Sequence, residues 1–340
     1  DTAALKASTA TKVWGSFEKP GETDLGYDLD RDPAKTPSLA EMTEKAVSVL
    51  SRNQKGFVLM VEGSLIDWAA HANDPVGIYS DINAFDKAVA SAMDFARKDG
   101  NTVVLIMADH GNSGLSIGNA STTSGYDTLP MKTVVGPLKK ATRTAQGVAD
   151  LINADRSNIA DVVSQYYGLT LADDEIAKLK VAKDLADLRA RCQAVLGSRM
   201  AAAAKLGFTT GGHTGEDIVF YAYDPHGTRP TGVIMNTDVA RYMEKLTGTD
   251  LAALTQKQFQ KAAIAFAQNG ATARTDYGDP ANPALVVRKG SQEIRFFQNK
   301  SIAQVDGKQV KLSGLVLYTG LAGGENWYVP EDAVALVQGL

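Results

Sequence analysis

Cysteine is almost missing from this chain: Cys192 stands alone among 340 residues. A single cysteine excludes an intramolecular disulfide and any cysteine-based metal knuckle. It suits cytosol and cell exterior alike. Long apolar runs are missing too, since none approaches the ~18 residues of a membrane span. Neither sign of charge dominates. A net charge of -4 gives no electrostatic reason to expect nucleic acid as a partner. No signal peptide opens the chain, and Asp1 is not an initiator methionine, so a processed, cleaved or truncated chain is expected. Histidine is scarce, with four in the sequence, so where each one falls carries weight. What remains is globular in character: 44% hydrophobic and 22% charged residues, which argues against disorder. The length suits one large core, or a core plus a smaller domain.

Residues 37–52, PSLAEMTEKAVSVLSR, place Ser38 and Glu41 in capping-box spacing. Leu39, Met42, Ala46, Val49 and Leu50 follow with helical period. GFVLMVEG comes next, a continuous apolar run of strand length that suits a parallel strand covered on both faces. Residues 81–98 predict a second amphipathic helix, with Ile82, Phe85, Val89, Met93 and Ala96 on one face and Gly100 as its stop. TVVLIMADHG then supplies another buried strand. Strand, helix and strand at this spacing form a βαβ unit, so the expected fold is α/β with a mainly parallel sheet flanked by helices. Residues 138–206 are helical in composition and carry no evident chemistry. Residues 252–268 read as one further helix. From about 272 the pattern changes to short alternating runs between Gly, Asn and Asp turns, the mark of a small C-terminal β module. The expected division is 1–250 for the α/β portion, 251–271 for a connecting helix and 272–340 for the β module.

Within this frame Asp67 and His71 are spaced i, i+4, so on a helix they share a face and can hold one ion. Glu62 lies at the carboxyl end of the preceding expected strand, where open α/β sheets gather their ligands. Asp109 and His110 occupy the same place after the next strand. His213 lies in GGHTGED, where small glycines let backbone approach a crowded polar centre. Each feature alone has an ordinary reading: a solvated helix face, a turn, or an acid favoured at a helix start. His226, in YDPHGTRP, is read as a turn residue. The conjunction outweighs the separate readings. Three of four histidines and three carboxylates fall at element ends that an α/β fold brings together. His with Asp suits zinc, and Glu in an oxygen-rich setting suits magnesium.

VEGSLIDWAAHAND, ADHGNSG and GGHTGED, in this order and spacing, resemble the alkaline phosphatases. PSLAEMTEKAVSVLS, FDKAVASAMDFARKDGNTVV and GVIMNTDVARYM match the family's pattern as well, so the resemblance covers about 12–245. The C-terminal β module resembles an extension of some bacterial members. The resemblance implies that Asp67, His71 and His213 bind a first zinc, that Asp109 and His110 bind a second, and that Glu62 binds a magnesium. It places Trp68 beside the substrate phosphate in a supporting role. The implied reaction is hydrolysis of a phosphate monoester by a two-metal clamp, with a serine nucleophile activated at one zinc and the leaving oxygen stabilised at the other. It also implies export to the periplasm or cell exterior, and a homodimer is a common state in the family.

The departures from the family pattern are as informative. The family nucleophile is a serine in an Asp-Ser-Ala type motif, and no such motif occurs here. An aspartate bridging the second zinc and magnesium, a hydroxyl magnesium ligand and a phosphate-gripping arginine are also missing. Ser113, Ser116 and Ser121 follow Asp109 but lie outside the nucleophile motif. The chain is therefore expected to be the carboxyl-terminal portion of an alkaline phosphatase, inactive in isolation, with the nucleophile on an amino-terminal companion piece. The rival readings are a non-catalytic exported surface or scaffold protein that keeps the fold, and a relative acting on phosphodiesters or as a phosphomutase.

Overall fold

The computed structural model describes residues 1–18, 25–320 and 326–339. It divides into two compact units, Asp1–Arg229 and Pro230–Leu340, a boundary earlier than the one expected at 250.

In the first unit the capping box forms as its spacing predicts. Ser38 N–H donates to Glu41 Oε2 at 2.7 Å and Glu41 N–H donates to Ser38 Oγ at 3.2 Å, opening the Leu39–Leu50 helix. Leu65–His71 forms a short helix. The next helix, Pro75–Asp99, begins before the expected residue 81, because Asp74 caps it and Pro75 fills its first position. Gly100 ends it with φ at 72°, a left-handed conformation that glycine adopts without strain. Its buried stripe is Ala84, Ala88 and Ala96. Of the expected apolar face only Ala96 is fully buried: Ile82 is 48% exposed, while Phe85, Val89 and Met93 are half-buried. That face borders the extended 57–63 segment, with the Phe57 and Phe95 ring centroids 6.0 Å apart and the Phe85 ring against Gly63.

The mixed α/β class holds, but no parallel ladder forms among the described residues. Residues 57–62 run without strand pairing, and burial alternates along them: Phe57, Leu59 and Val61 face inward while Val58, Met60 and Glu62 face out. The alternation is that of a strand with one face covered. A strand also requires a neighbour to take its N–H and C=O groups, and none of the described residues does so. Val104–Ile106 pairs antiparallel with Tyr221–Tyr223, and every strand pairing among the described residues is antiparallel.

The core of this unit lies in the helical region that carries no chemistry. Val148, Ile159, Val163, Tyr167, Leu188, Leu196 and Met200 pack with the buried, free Cys192 around the Leu185–Ala203 helix. The start of the long helix is tied to this core. The fully buried Asp74 accepts from Val76 N–H at 3.0 Å and from Tyr167 O–H at 3.2 Å, both at Oδ1. About two turns further on, Asp81 Oδ2 accepts from Asp28 N–H at 3.3 Å, and Ser80 Oγ accepts from Leu29 N–H at 2.9 Å.

The second unit carries the expected β module as a seven-stranded antiparallel sheet. Its strand order is Gln260–Lys261, Asn326–Val329, Lys308–Thr319, Lys300–Val305, Gln292–Phe297, Ala284–Lys289 and Thr272–Asp276. Asp306 and Gly307, at φ 48° and 77°, make the tight turn between two of these strands, as the Asp-Gly pair favours. Phe266 and Phe296 stack in the core, with centroids 5.6 Å apart. The single helix expected over 252–268 is interrupted. Leu251–Gln258 and Ala262–Gln268 are helical, but Gln260 and Lys261 pair with Val329 and Tyr328, so sheet hydrogen bonding overrides helical propensity there.

Burial, reinforced by the charges of Asp28 and Asp30, pushes the Asp81 carboxyl from 3.8 up to about 7. The folded chain thus retains a proton that the unfolded chain releases, and this contribution is full below about pH 4 and lost as pH rises through about 7. The thermal midpoint of the metal-free chain should fall across that window, and Asp81→Asn should flatten the fall. Identical slopes in parent and variant, followed by circular dichroism, would contradict this account of Asp81.

Candidate metal centre

The Leu65–His71 helix brings Asp67 and His71 onto one face, one turn apart, with His71 Nε2 at 3.4 Å from Asp67 Oδ2. His71 Nδ1 lies 2.7 Å from Gly211 O. A carbonyl only accepts, so Nδ1 carries a proton and Nε2 is the ring nitrogen left to face the Asp67 carboxylate. An imidazole nitrogen and a carboxylate oxygen thus meet across 3.4 Å, a gap that a shared proton or a cation can bridge.

His213 reaches the same place from far along the chain. His213–Thr214 forms a two-residue antiparallel bridge with Gly111–Asn112, in which Asn112 faces His213 and Gly111 faces Thr214. Ser113 N–H extends the pairing to Gly212 O at 2.9 Å. The His71 and His213 ring centroids are 5.0 Å apart. One ligand atom from each of Asp67, His71 and His213 lies within 4.8 Å of the other two. Zinc bonds of ~2.0–2.1 Å in a tetrahedron set ligand atoms about 3.3 Å apart. The donor set therefore fits zinc in kind and number, with a modest closure left to make. Among the described residues no other group of three or more His, Cys, Asp or Glu side chains converges in this way.

The other expected residues are arranged differently. His110 stacks on His213, with centroids 3.5 Å apart and planes 24° from parallel. Its Nδ1 lies 3.1 Å from Gly111 O and its Nε2 lies 3.2 Å from Asp109 Oδ2. The Asp109 side chain is 85% exposed and does not join the trio. Glu62 is exposed at the end of the extended segment and is also outside it. Trp68, next to Asp67, is 52% exposed. His226 lies in a turn, where its Nε2 is 3.1 Å from Asn101 Oδ1, as read from the sequence.

Glycine makes the crowding possible. A Cβ on Gly211 would stand 3.1 Å from His71 O, and one on Gly111 would fall inside the Glu216 carboxylate. The sequence reading passed over Asn112, whose Nδ2 donates to Asp67 O at 3.2 Å and to Asp67 Oδ1 at 2.5 Å. Its position inside ADHGN, two residues after the candidate ligand His110, was the available signal.

The family model for alkaline phosphatase matches residues 2–249, and the chain belongs to that family. It is 36% identical over 246 residues to alkaline phosphatase 4 of Bacillus subtilis, covering 72% of this chain and 50% of that protein. It is 37% identical over 241 residues to alkaline phosphatase 3 of the same organism, covering 69% and 48%. A crystal structure of a cold-active alkaline phosphatase from a psychrophilic Shewanella superposes with a TM-score of 0.61 at 30% identity, covering 73% of this chain and 58% of that one. The Thermus thermophilus alkaline phosphatase superposes at 0.60 and 22% identity, covering 73% and 55%, a likeness of fold. The chain spans about half the length of the curated relatives it matches.

The turn after His71 is held by close packing. A Cβ on Gly197 would stand 2.7 Å from Asn73 O and 3.6 Å from Asp74 Cα, backbone that cannot swing aside. Gly197→Ala should destabilise the metal-free chain by about 1–3 kcal/mol, read as a lower denaturant midpoint. An unchanged midpoint would contradict this packing.

Proposed function

We propose that this chain is the metal-holding carboxyl-terminal portion of an alkaline phosphatase acting on phosphate monoesters. The observation that carries the reading is the convergence of Asp67, His71 and His213 in a chain of that family. Asp67 Oδ2, His71 Nε2 and a His213 ring nitrogen would hold a first zinc. Asp109 and His110 would contribute to a second, and Glu62 to a magnesium. Such ions supply Lewis acidity and lower the pKa of bound water, to roughly 7 for zinc. The chain's own residues orient that chemistry. Gly211 O fixes the His71 tautomer, the helix sets the Asp67–His71 spacing, and Trp68 would border the substrate phosphate.

The serine nucleophile would come from an amino-terminal companion of the same enzyme. The half-length match to the relatives supports this, and so does the bare outward face of the extended segment. Val58 is 65% exposed and Met60 85%, apolar surface of the kind that marks an interface. Export to the periplasm or cell surface belongs to the same reading. The seven-stranded module, which lies beyond the matched residues 2–249, favours a second reading as an exported scaffold with bound metal. Zinc binding without hydrolysis of monoesters, with the companion piece present, would select that alternative. Hydrolysis of diesters alone would move the substrate class.

Two outcomes test the proposal. In the assembled enzyme His213→Ala should lower zinc occupancy and turnover of p-nitrophenyl phosphate together, and full occupancy in the variant would remove His213 from the ligand set. The chain by itself should bind zinc yet show negligible turnover. Monoester hydrolysis by the purified chain at the rate of an intact relative would overturn the assignment of the nucleophile to a companion.

A further inference from the structure

We infer that Tyr27 is a positioning residue of the metal centre, and that its ring seats the Leu65–His71 helix so that Asp67 and His71 keep their distance from His213. The inference rests on the metal-binding reading of those three residues. The helix has seven residues, and its N-cap Ser64 makes no side-chain hydrogen bond. A helix this short is not held by its own propensity, so its place is set by what packs behind it. At 3.6 residues per turn, Leu65 and Ala69 lie across the helix from Asp67 and His71. Both belong, with Ala70, to a small apolar cluster that also takes in Tyr27, Ile78 and Phe208. Ala69 is fully buried, and Tyr27 is 2% exposed. Alanine offers only a methyl group, so the bulk behind the helix comes from its partners, and Tyr27 is the largest buried side chain among them. The fit is close. A Cβ on Gly77 would stand 2.9 Å from Ala69 Cβ and 3.3 Å from Tyr27 Cε1.

The ring is itself anchored by the three residues that follow it. Asp28 N–H and Leu29 N–H donate to Asp81 Oδ2 and Ser80 Oγ on the long helix, at 3.3 and 2.9 Å. Leu29 O accepts from Arg143 Nη1 at 3.1 Å, and Asp30 Oδ1 accepts from Thr144 N–H at 3.0 Å. The chain at Tyr27 is thus tied to two other parts of the unit and cannot drift with the ligand helix. The same cluster reaches the third ligand. Phe208 packs against it, three residues before the Gly211 carbonyl that meets His71 Nδ1 and five before His213. One patch of packing therefore stands behind both chain segments that deliver ligands. The ligand atoms lie within 4.8 Å of one another, and an ion must draw them closer. With the ring blocking the back of the helix, that closure is left to side-chain rotation. Without it the helix can settle into the void, since a cavity is filled in part by relaxation of its walls, and Asp67 and His71 would retreat from His213 together.

The test uses the full chain and two readouts, zinc affinity by competition with a chromophoric chelator and the d–d bands of the Co2+-loaded protein. Tyr27→Ala should lower affinity about 10–100-fold, the size of loss that follows removal of a group supporting a ligand, and should shift the bands. Tyr27→Phe keeps the ring and should match the parent in both. Leu188→Ala, in the remote helical core, serves as the control for lost stability: it should lower the denaturant midpoint and leave affinity and bands unchanged. Parent affinity or a parent spectrum in Tyr27→Ala would overturn the positioning role. So would a phenylalanine variant as weak as the alanine one, or an equal loss of affinity in Leu188→Ala. If Tyr27→Ala does not fold, Tyr27→Leu, which leaves a smaller void, is read by the same two quantities. His213→Ala separates the two levels. If it binds zinc at parent strength, the metal-centre reading itself fails; if it loses zinc while Tyr27→Ala does not, only the inference about Tyr27 fails.

Discussion

Four residues of antiparallel pairing, Gly111–Asn112 against His213–Thr214, are the constraint on which the centre depends. The Leu65–His71 helix can set Asp67 and His71 at the right separation by its own period, but nothing local can supply a third ligand. The bridge delivers His213, and the Asn112 side chain joins the bridge to Asp67. The contact is short in length and crowded, which explains the glycines on both sides of it. Gly111 lies under Glu216, and Gly211 presents its carbonyl to His71.

This centre rests on a helical core that takes no part in the chemistry. The Leu185–Ala203 helix packs Gly197 against the turn that follows His71. Tyr167 reaches from the same core to the Asp74 carboxylate, whose burial pushes its pKa up to about 6. The helix that carries Asp67 and His71 is thus fixed at its carboxyl end by packing, while its amino-terminal approach, the 57–62 segment, has one face bare. The bare face and the unjoined Asp109 and Glu62 are consistent with one another. Both fit the proposed companion, which would cover that face and complete the site.

Much of this was legible in the sequence where a signal was local. Ser38 and Glu41 announced their capping box, Gly100 its helix end, and the Asp67–His71 spacing its shared face. The turn-rich pattern after residue 272 announced the β module. The misses have a common physical cause, which is that pairing is not local. GFVLMVEG has the composition of a buried parallel strand, yet Val58 and Met60 are exposed because a strand exists only with its neighbours. Phe259, Gln260 and Lys261 continue a helical pattern, but the strand at Tyr328 and Val329 draws Gln260 and Lys261 into the sheet as its edge. Asn112 escaped notice because an asparagine in a loop has no meaning until Asp67 is placed beside it.

The central claim is that Asp67, His71 and His213 hold one ion between them. X-ray absorption at the zinc edge, on the full chain loaded with one equivalent of zinc, tests it most directly. The account predicts a first shell containing two imidazole nitrogens and a carboxylate oxygen at about 2.0–2.1 Å. A first shell of oxygens alone, with no imidazole scattering, would contradict it.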